Sequence, residues 1–80
     1  MTDQKSAARP TYKQVLSYAR KAVLDEVAAP SRWFYNRQAV EHDILNHFDG
    51  LTNSDDDYEF ITEAIREAEY EYNTANNCEL

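Results

Sequence analysis

The chain predicts an all-α fold, a compact three-helix bundle. One glycine and two prolines among 80 residues leave long stretches without helix breakers. The helix formers Ala, Glu, Arg, Leu and Gln are plentiful. Apolar residues also recur at helical spacing in three stretches, parted by Pro30 and Gly50.

The first helix is predicted over residues 12–28. Thr11 has Gln14 three residues on, the pattern of a capping box in which each side chain satisfies the other residue's free N–H. Behind it Tyr12, Val15, Leu16, Ala19, Ala22, Val23 and Val27 keep one face, and Pro30 stops the helix. The second is predicted over residues 31–49, capped by Ser31. Asn36 is an alternative start, because Trp33, Phe34 and Tyr35 run together without period. Val40, Ile44 and Phe48 share a face with Leu45 beside it, and Gly50 supplies the stop. The third is predicted over residues 54–73. Ser54 caps it, and Asp55, Asp56 and Asp57 favour the positive end of its dipole. Its apolar stripe is Tyr58, Ile61, Ala64, Ile65, Ala68 and Tyr72.

Around these helices, residues 1–10 read as a flexible tail, 11–74 as a single helical domain and 75–80 as a frayed C-terminus. Short connections favour antiparallel packing of successive helices. Large aliphatics are few, so the expected core joins Ile44, Ile61 and Ile65, facing Val15 and Ala19, to Trp33, Phe34, Phe48 and Phe60. Tyr12, Tyr18, Tyr58 and Tyr72 belong at its margin. Tyr35 and Tyr70 fall off the stripes, as does Phe60 in part, so some of the three are expected to face solvent or a partner.

Charge is the chain's other signal. Residues 1–37 hold seven Lys/Arg against three acids, whereas residues 38–80 hold 12 acids and a single base, Arg66. The halves are therefore +4 and −11, for a net −7. Within the second half, Asp55, Glu59, Glu63, Glu67 and Glu71 stand four apart in sequence, an uncompensated column. Like charges so spaced repel by roughly 0.2–0.5 kcal/mol per pair. Ordinary solvated helix faces intersperse lysine to gain attraction instead. Asp56, Glu69, Glu41, Asp43 and Asp49 are expected to extend the acidic surface. Successive carboxylates of the column rise about 6 Å along the axis and drift about 40° around it per step. That rise is close to the phosphate spacing of a nucleic-acid strand.

No motif points to catalysis. A calcium loop read from Asn53 puts Tyr58 and Ala64 where an EF-hand needs glycine and glutamate. His42 and His47 are five apart and fall on different helix faces, and no Glu-x-x-His pair exists. There is no glycine-rich phosphate loop, and Cys78 lies in the tail with no fixed base to activate it. The expectation is a non-enzyme without cofactor or metal. A single cysteine, no signal segment and no long apolar run fit a cytoplasmic protein, away from membranes. Direct nucleic-acid binding is disfavoured, since the helix placed to act as a recognition helix is the acidic third one.

The acidic segment DDDYEFITEAIREAEYEY (residues 55–72) resembles, in charge character, the surfaces of small phage- and mobile-element-encoded inhibitors, the anti-CRISPR and anti-restriction proteins. Many of those are single domains of this size, and several act as DNA mimics that block the nucleic-acid site of an immune complex. The resemblance covers residues 38–80, and the basic first half departs from all-acidic mimics. It implies a protein–protein inhibitor of a basic nucleic-acid-binding protein, such as a CRISPR effector complex or a restriction enzyme, in the host cytoplasm if phage-encoded. Asp55, Asp56, Glu59, Glu63, Glu67, Tyr70 and Glu71 are the expected partner-binding residues, with Tyr58 or Tyr70 as aromatic anchor. The alternative is an antitoxin-like adaptor or a self-associating homodimer, in which the basic first helix meets the acidic third.

Overall fold

The computed structural model describes residues 9–28, 35–77 and 80. Expectations placed on residues 1–8, Pro30, Ser31, Trp33, Phe34 and Cys78 lie outside them. Three α-helices follow in order: α1 (Tyr12–Ala28), α2 (Arg37–His47) and α3 (Asp55–Asn76). Among the described residues there is no strand. The chain is an all-α three-helix bundle.

The local code for α1 works as read. The Gln14 N–H donates to Thr11 Oγ1 at 3.1 Å, and the Thr11 N–H donates to Gln14 Oε1 at 2.8 Å. For α2 the described start is the alternative one. Asn36 sits in extended backbone and its side chain accepts from the Gln38 N–H. The helix also stops before Gly50: Phe48 turns extended while its N–H still reaches Ile44 O, and no residue from 48 to 50 enters the left-handed region. Ser54 caps α3 by accepting from the Asp57 N–H at 3.2 Å. Residues 74–76 continue this helix, contrary to the expected fraying. Asn77, at φ 55°, adopts the left-handed conformation that closes it, its N–H bonding to Asn73 O.

Cross-helix contacts fix the directions. Arg9 meets Asp57, Tyr12 meets Glu67 and Arg20 meets Glu71, so α1 and α3 run parallel. Tyr18 meets Asp43 near the end of α2, and Arg37 at its start meets Glu69, so α2 runs antiparallel to both. The core lies along the line where the three meet. Val15, Ala19 and Val23 of α1 face Val40 and Ile44 of α2 and Ile61, Ala64 and Ile65 of α3, all 0–1% exposed. Leu51 closes the end under the α2–α3 connection.

The aromatics are redistributed relative to expectation. Tyr58 is 51% exposed, because it lies at the margin of a stripe that Asp57, and not Tyr58, extends toward the N-terminus. Tyr35 and Phe60 pack against the core, as do Tyr12, Tyr18, Phe48 and Tyr72. Tyr70 does point outward, at 70% exposure.

Ile65 is fully buried on the helix whose interface with α1 is the most extensive in the fold. Ile65→Ala is expected to cost about 2–5 kcal/mol in urea unfolding. An unmoved midpoint would mean that α3 packs through another face.

Candidate acidic interface

Three arginines of the first half, Arg9, Arg20 and Arg37, decide what the acidic helix presents. Asp57, Glu69 and Glu71 lie on or beside the buried stripe of α3, and each takes one of them. Arg9 ion-pairs with Asp57, whose side chain is 7% exposed, and its guanidinium also lies 5.1 Å over the Phe60 ring. The other Asp57 oxygen accepts from the Thr52 N–H at 2.9 Å and from the Thr52 hydroxyl at 3.0 Å. Those Thr52 bonds, with Arg9 behind them, hold the Asp57 carboxyl below the usual carboxylate range.

Arg37 grips Glu69 through two bonds, Nε–Oε2 at 2.9 Å and Nη2–Oε1 at 2.6 Å. The Glu69 side chain is 7% exposed. Arg20 grips Glu71 in the same forked way, at 2.7 and 3.0 Å. The hydrogen bond from Arg20 holds the Glu71 carboxyl low. Such bidentate geometry is what a planar guanidinium does and an ammonium cannot.

Glu69 and Glu41, expected to extend the acidic surface, are therefore buried instead. Glu69 faces Arg37 at the start of α2, and Glu41 stands one turn after Arg37 beside the buried Val40. The column is likewise compensated at one end. Its drift of about 40° per step carries Glu67 and Glu71 around toward α1. There Glu71 meets Arg20, and Glu67 Oε1 accepts from the Tyr12 hydroxyl at 2.7 Å. Burial, followed by that bond to Glu67, pushes the Tyr12 phenol up to about 12. Tyr18 acts similarly on Asp43, at 2.8 Å, and the bond raises its phenol. A tyrosine hydroxyl thus fixes each of these carboxylates without cancelling its charge. Tyr35 lies in the same neighbourhood as Glu69. Burial, then Glu69, holds its phenol protonated far above the usual range, yet its buried hydroxyl has no partner of good hydrogen-bond geometry among the described residues.

What is left on the outer surface is Asp55, Asp56, Glu59 and Glu63, all exposed and without an ion pair among the described residues. Tyr58, Glu59, Thr62, Glu63 and Arg66 line a shallow depression of about 310 Å³ on this face. Tyr70 stands out beyond it. Of the seven residues expected at the interface, six remain open in this sense: Asp55, Asp56, Glu59, Glu63, Glu67 and Tyr70. Glu67 is open but fixed, and Glu71 is engaged by Arg20.

Among the described residues, no group of three or more His, Cys, Asp or Glu side chains is placed to hold a metal ion. No described helix is long and apolar enough to cross a membrane. No protein-family model, no curated protein and no solved structure matches the chain.

Two stability tests follow from the arginine contacts. Arg37→Ala strands the buried Glu69 carboxylate and is expected to cost about 1–3 kcal/mol, because a buried acceptor loses its charged donor. Chemical denaturation of the variant measures it directly. For Asp57 the folded carboxyl titrates below its unfolded value, so its contribution is complete at neutral pH and lost as pH falls below about 4. Asp57→Asn should flatten the acid limb of a stability–pH curve relative to the native chain. An unchanged acid limb would show that this carboxylate is not held by Thr52 and Arg9.

Proposed function

We propose that this chain is a non-enzymatic inhibitor that binds a basic, nucleic-acid-handling protein through the outer face of α3, with carboxylates standing in for phosphates. One observation supports the reading above all: Arg9, Arg20 and Arg37 are engaged by the flanking acids of α3, while Asp55, Asp56, Glu59 and Glu63 have no ion pair among the described residues. A fold that wanted only a solvated helix would gain by pairing the outermost repelling charges, since each like pair costs it stability. A basic partner also favours the acidic face over α1, whose positive charge an Arg/Lys groove would repel. Tyr58 and Tyr70 flank the open carboxylates and supply anchors suited to arginine, by stacking and by cation–π attraction.

The target class is a CRISPR effector complex or a restriction enzyme, whose Arg/Lys groove this face occupies in place of DNA. In the host cytoplasm the inhibitor then acts by occupancy, with no bond made or broken. Electrostatic steering speeds such encounters and makes them sensitive to salt.

The test is displacement of DNA from a panel of purified effector complexes and restriction enzymes. The native chain should release DNA from its target, and Glu59→Lys with Glu63→Lys should weaken that by about 100-fold or more. Helix content should survive the double change, because it relieves repulsion within α3. Inhibition by the native chain should also fade as salt is raised past the range where the screening length is about 8–10 Å. Inhibition that withstands both charge reversal and salt would remove the acidic face from the interface.

A further inference from the structure

A second surface of the fold has the opposite character. Between α1 and the end of α2 runs a groove of about 530 Å³, lined by residues that include Lys13, Ser17, Tyr18, Lys21, His47 and Phe48. In a chain of net charge −7, no described carboxylate lines it, and Asp25 and Asp43 stand at its edge, bonded to Lys21 and to the Tyr18 hydroxyl. Its floor is aromatic: Tyr18 and His47 stack at 3.9 Å with planes 8° apart, and Phe48 meets both edge-on. Lys13, at its rim, has no acidic partner among the described residues, while Lys21 pairs with Asp25 at 2.9 Å where both are exposed.

Lys13 and Lys21 are eight residues apart on α1, a rise of about 12 Å and a drift of about 80° around the axis. Asp55 and Glu63 are eight apart on α3, and so have the same rise and the same slant. Tyr58, half exposed, falls between them along the axis but on the far side of Asp55 from Glu63, and it lines the same depression as Glu63. The acidic face therefore offers two carboxylates and a ring, and the groove offers two ammonium groups and a ring-lined floor.

We infer that the occupant of this groove is a second copy of the chain, which seats the Asp55–Tyr58–Glu63 face of its α3 against Lys13, Lys21 and the Tyr18–His47–Phe48 floor. The two surfaces lie on different sides of the molecule, so the contact is heterologous and propagates head to tail. Self-association goes beyond the proposed inhibitory activity and opposes it, because each contact covers one acidic face. Concentrated protein then stores its binding face, and dilution exposes it.

Sedimentation and light scattering on the full chain test this. At about 0.05 M salt, mass should rise with concentration above the 9.3 kDa of one copy, and at about 0.5 M it should fall back, the attraction being screened over a few ångströms. Lys13→Glu, which breaks no ion pair among the described residues, should shift the association to at least tenfold higher concentration. Two double variants give the sharper result. Lys13→Gln/Lys21→Gln keeps the acidic face and Asp55→Asn/Glu63→Gln keeps the groove, so each alone should stay monomeric. Mixed together they should form a 1:1 dimer and nothing larger. A native chain that stays monomeric throughout, association that persists in either variant, or a mixture that does not pair overturns the inference. Lys13→Glu leaves α3 untouched, so its displacement of DNA reports on the inhibitory reading separately.

Discussion

The structure depends on arginines that cross from the basic half of the chain to the acid-rich third helix. A helix with this many carboxylates opposes its own formation, and the cost is greatest where burial strips water from them. Arg9, Arg20 and Arg37 reach Asp57, Glu71 and Glu69, the acids on or beside the buried stripe of α3. Each pair also fixes a packing relation. Arg9 and Arg20 set the register of α1 along α3, and Arg37 ties the start of α2 to the same helix. Attraction between half-exposed pairs adds little stability by itself. Their larger consequence is to prevent an unpaired buried carboxylate, which is far more costly.

That division of the acids into an engaged inner set and an open outer set gives the surface its character. Lysines facing outward at four-residue spacing would have produced an ordinary mixed surface. Instead tyrosines take part: Tyr12 holds Glu67 and Tyr18 holds Asp43 through neutral hydroxyls. A neutral donor orients a carboxylate while leaving its charge in place, which suits a surface that must stay negative and ordered. For the proposed partner, the side-chain entropy lost in fixing Glu67 on folding need not be lost again on binding.

Much of the fold was legible in the residues. The start of α1 follows from the capping box at Thr11 and Gln14, and the start of α3 follows from Ser54, because a cap is local chemistry. The α2 helix was less legible. It has 11 residues, buries Glu41 alongside only Val40 and Ile44, and ends on a bend at Phe48 that no glycine announces. The far end of α3 was also misjudged, since polar Asn73, Thr74 and Asn76 carry no apolar signal while the closing turn depends on the backbone of Asn77. The burial of Asp57 could have been found. It stands four before Ile61 and about 40° from it on a helix advancing about 100° per residue, which places it inside the apolar stripe. Tyr58, about 60° the other way, falls at the margin.

The pairing partners are the part that sequence alone withheld, and the reason is geometric. Which arginine meets which acid depends on how far along α3 the helix α1 lies and on their parallel direction, and neither is encoded within one helix. Half of the answer was nonetheless present in the period of the acid column. A repeat of four on a helix of 3.6 residues per turn must slant, so a column that begins outside cannot end there. Asp55 faces solvent, and by Glu71 the column has turned against α1 and met Arg20. A strict alternation of three and four would have kept all five carboxylates on one line, exposed and mutually repelling. The slant leaves the N-terminal carboxylates on the surface and uses the last one to lock α1 in place, so a single sequence pattern serves both the open face and the packing that supports it.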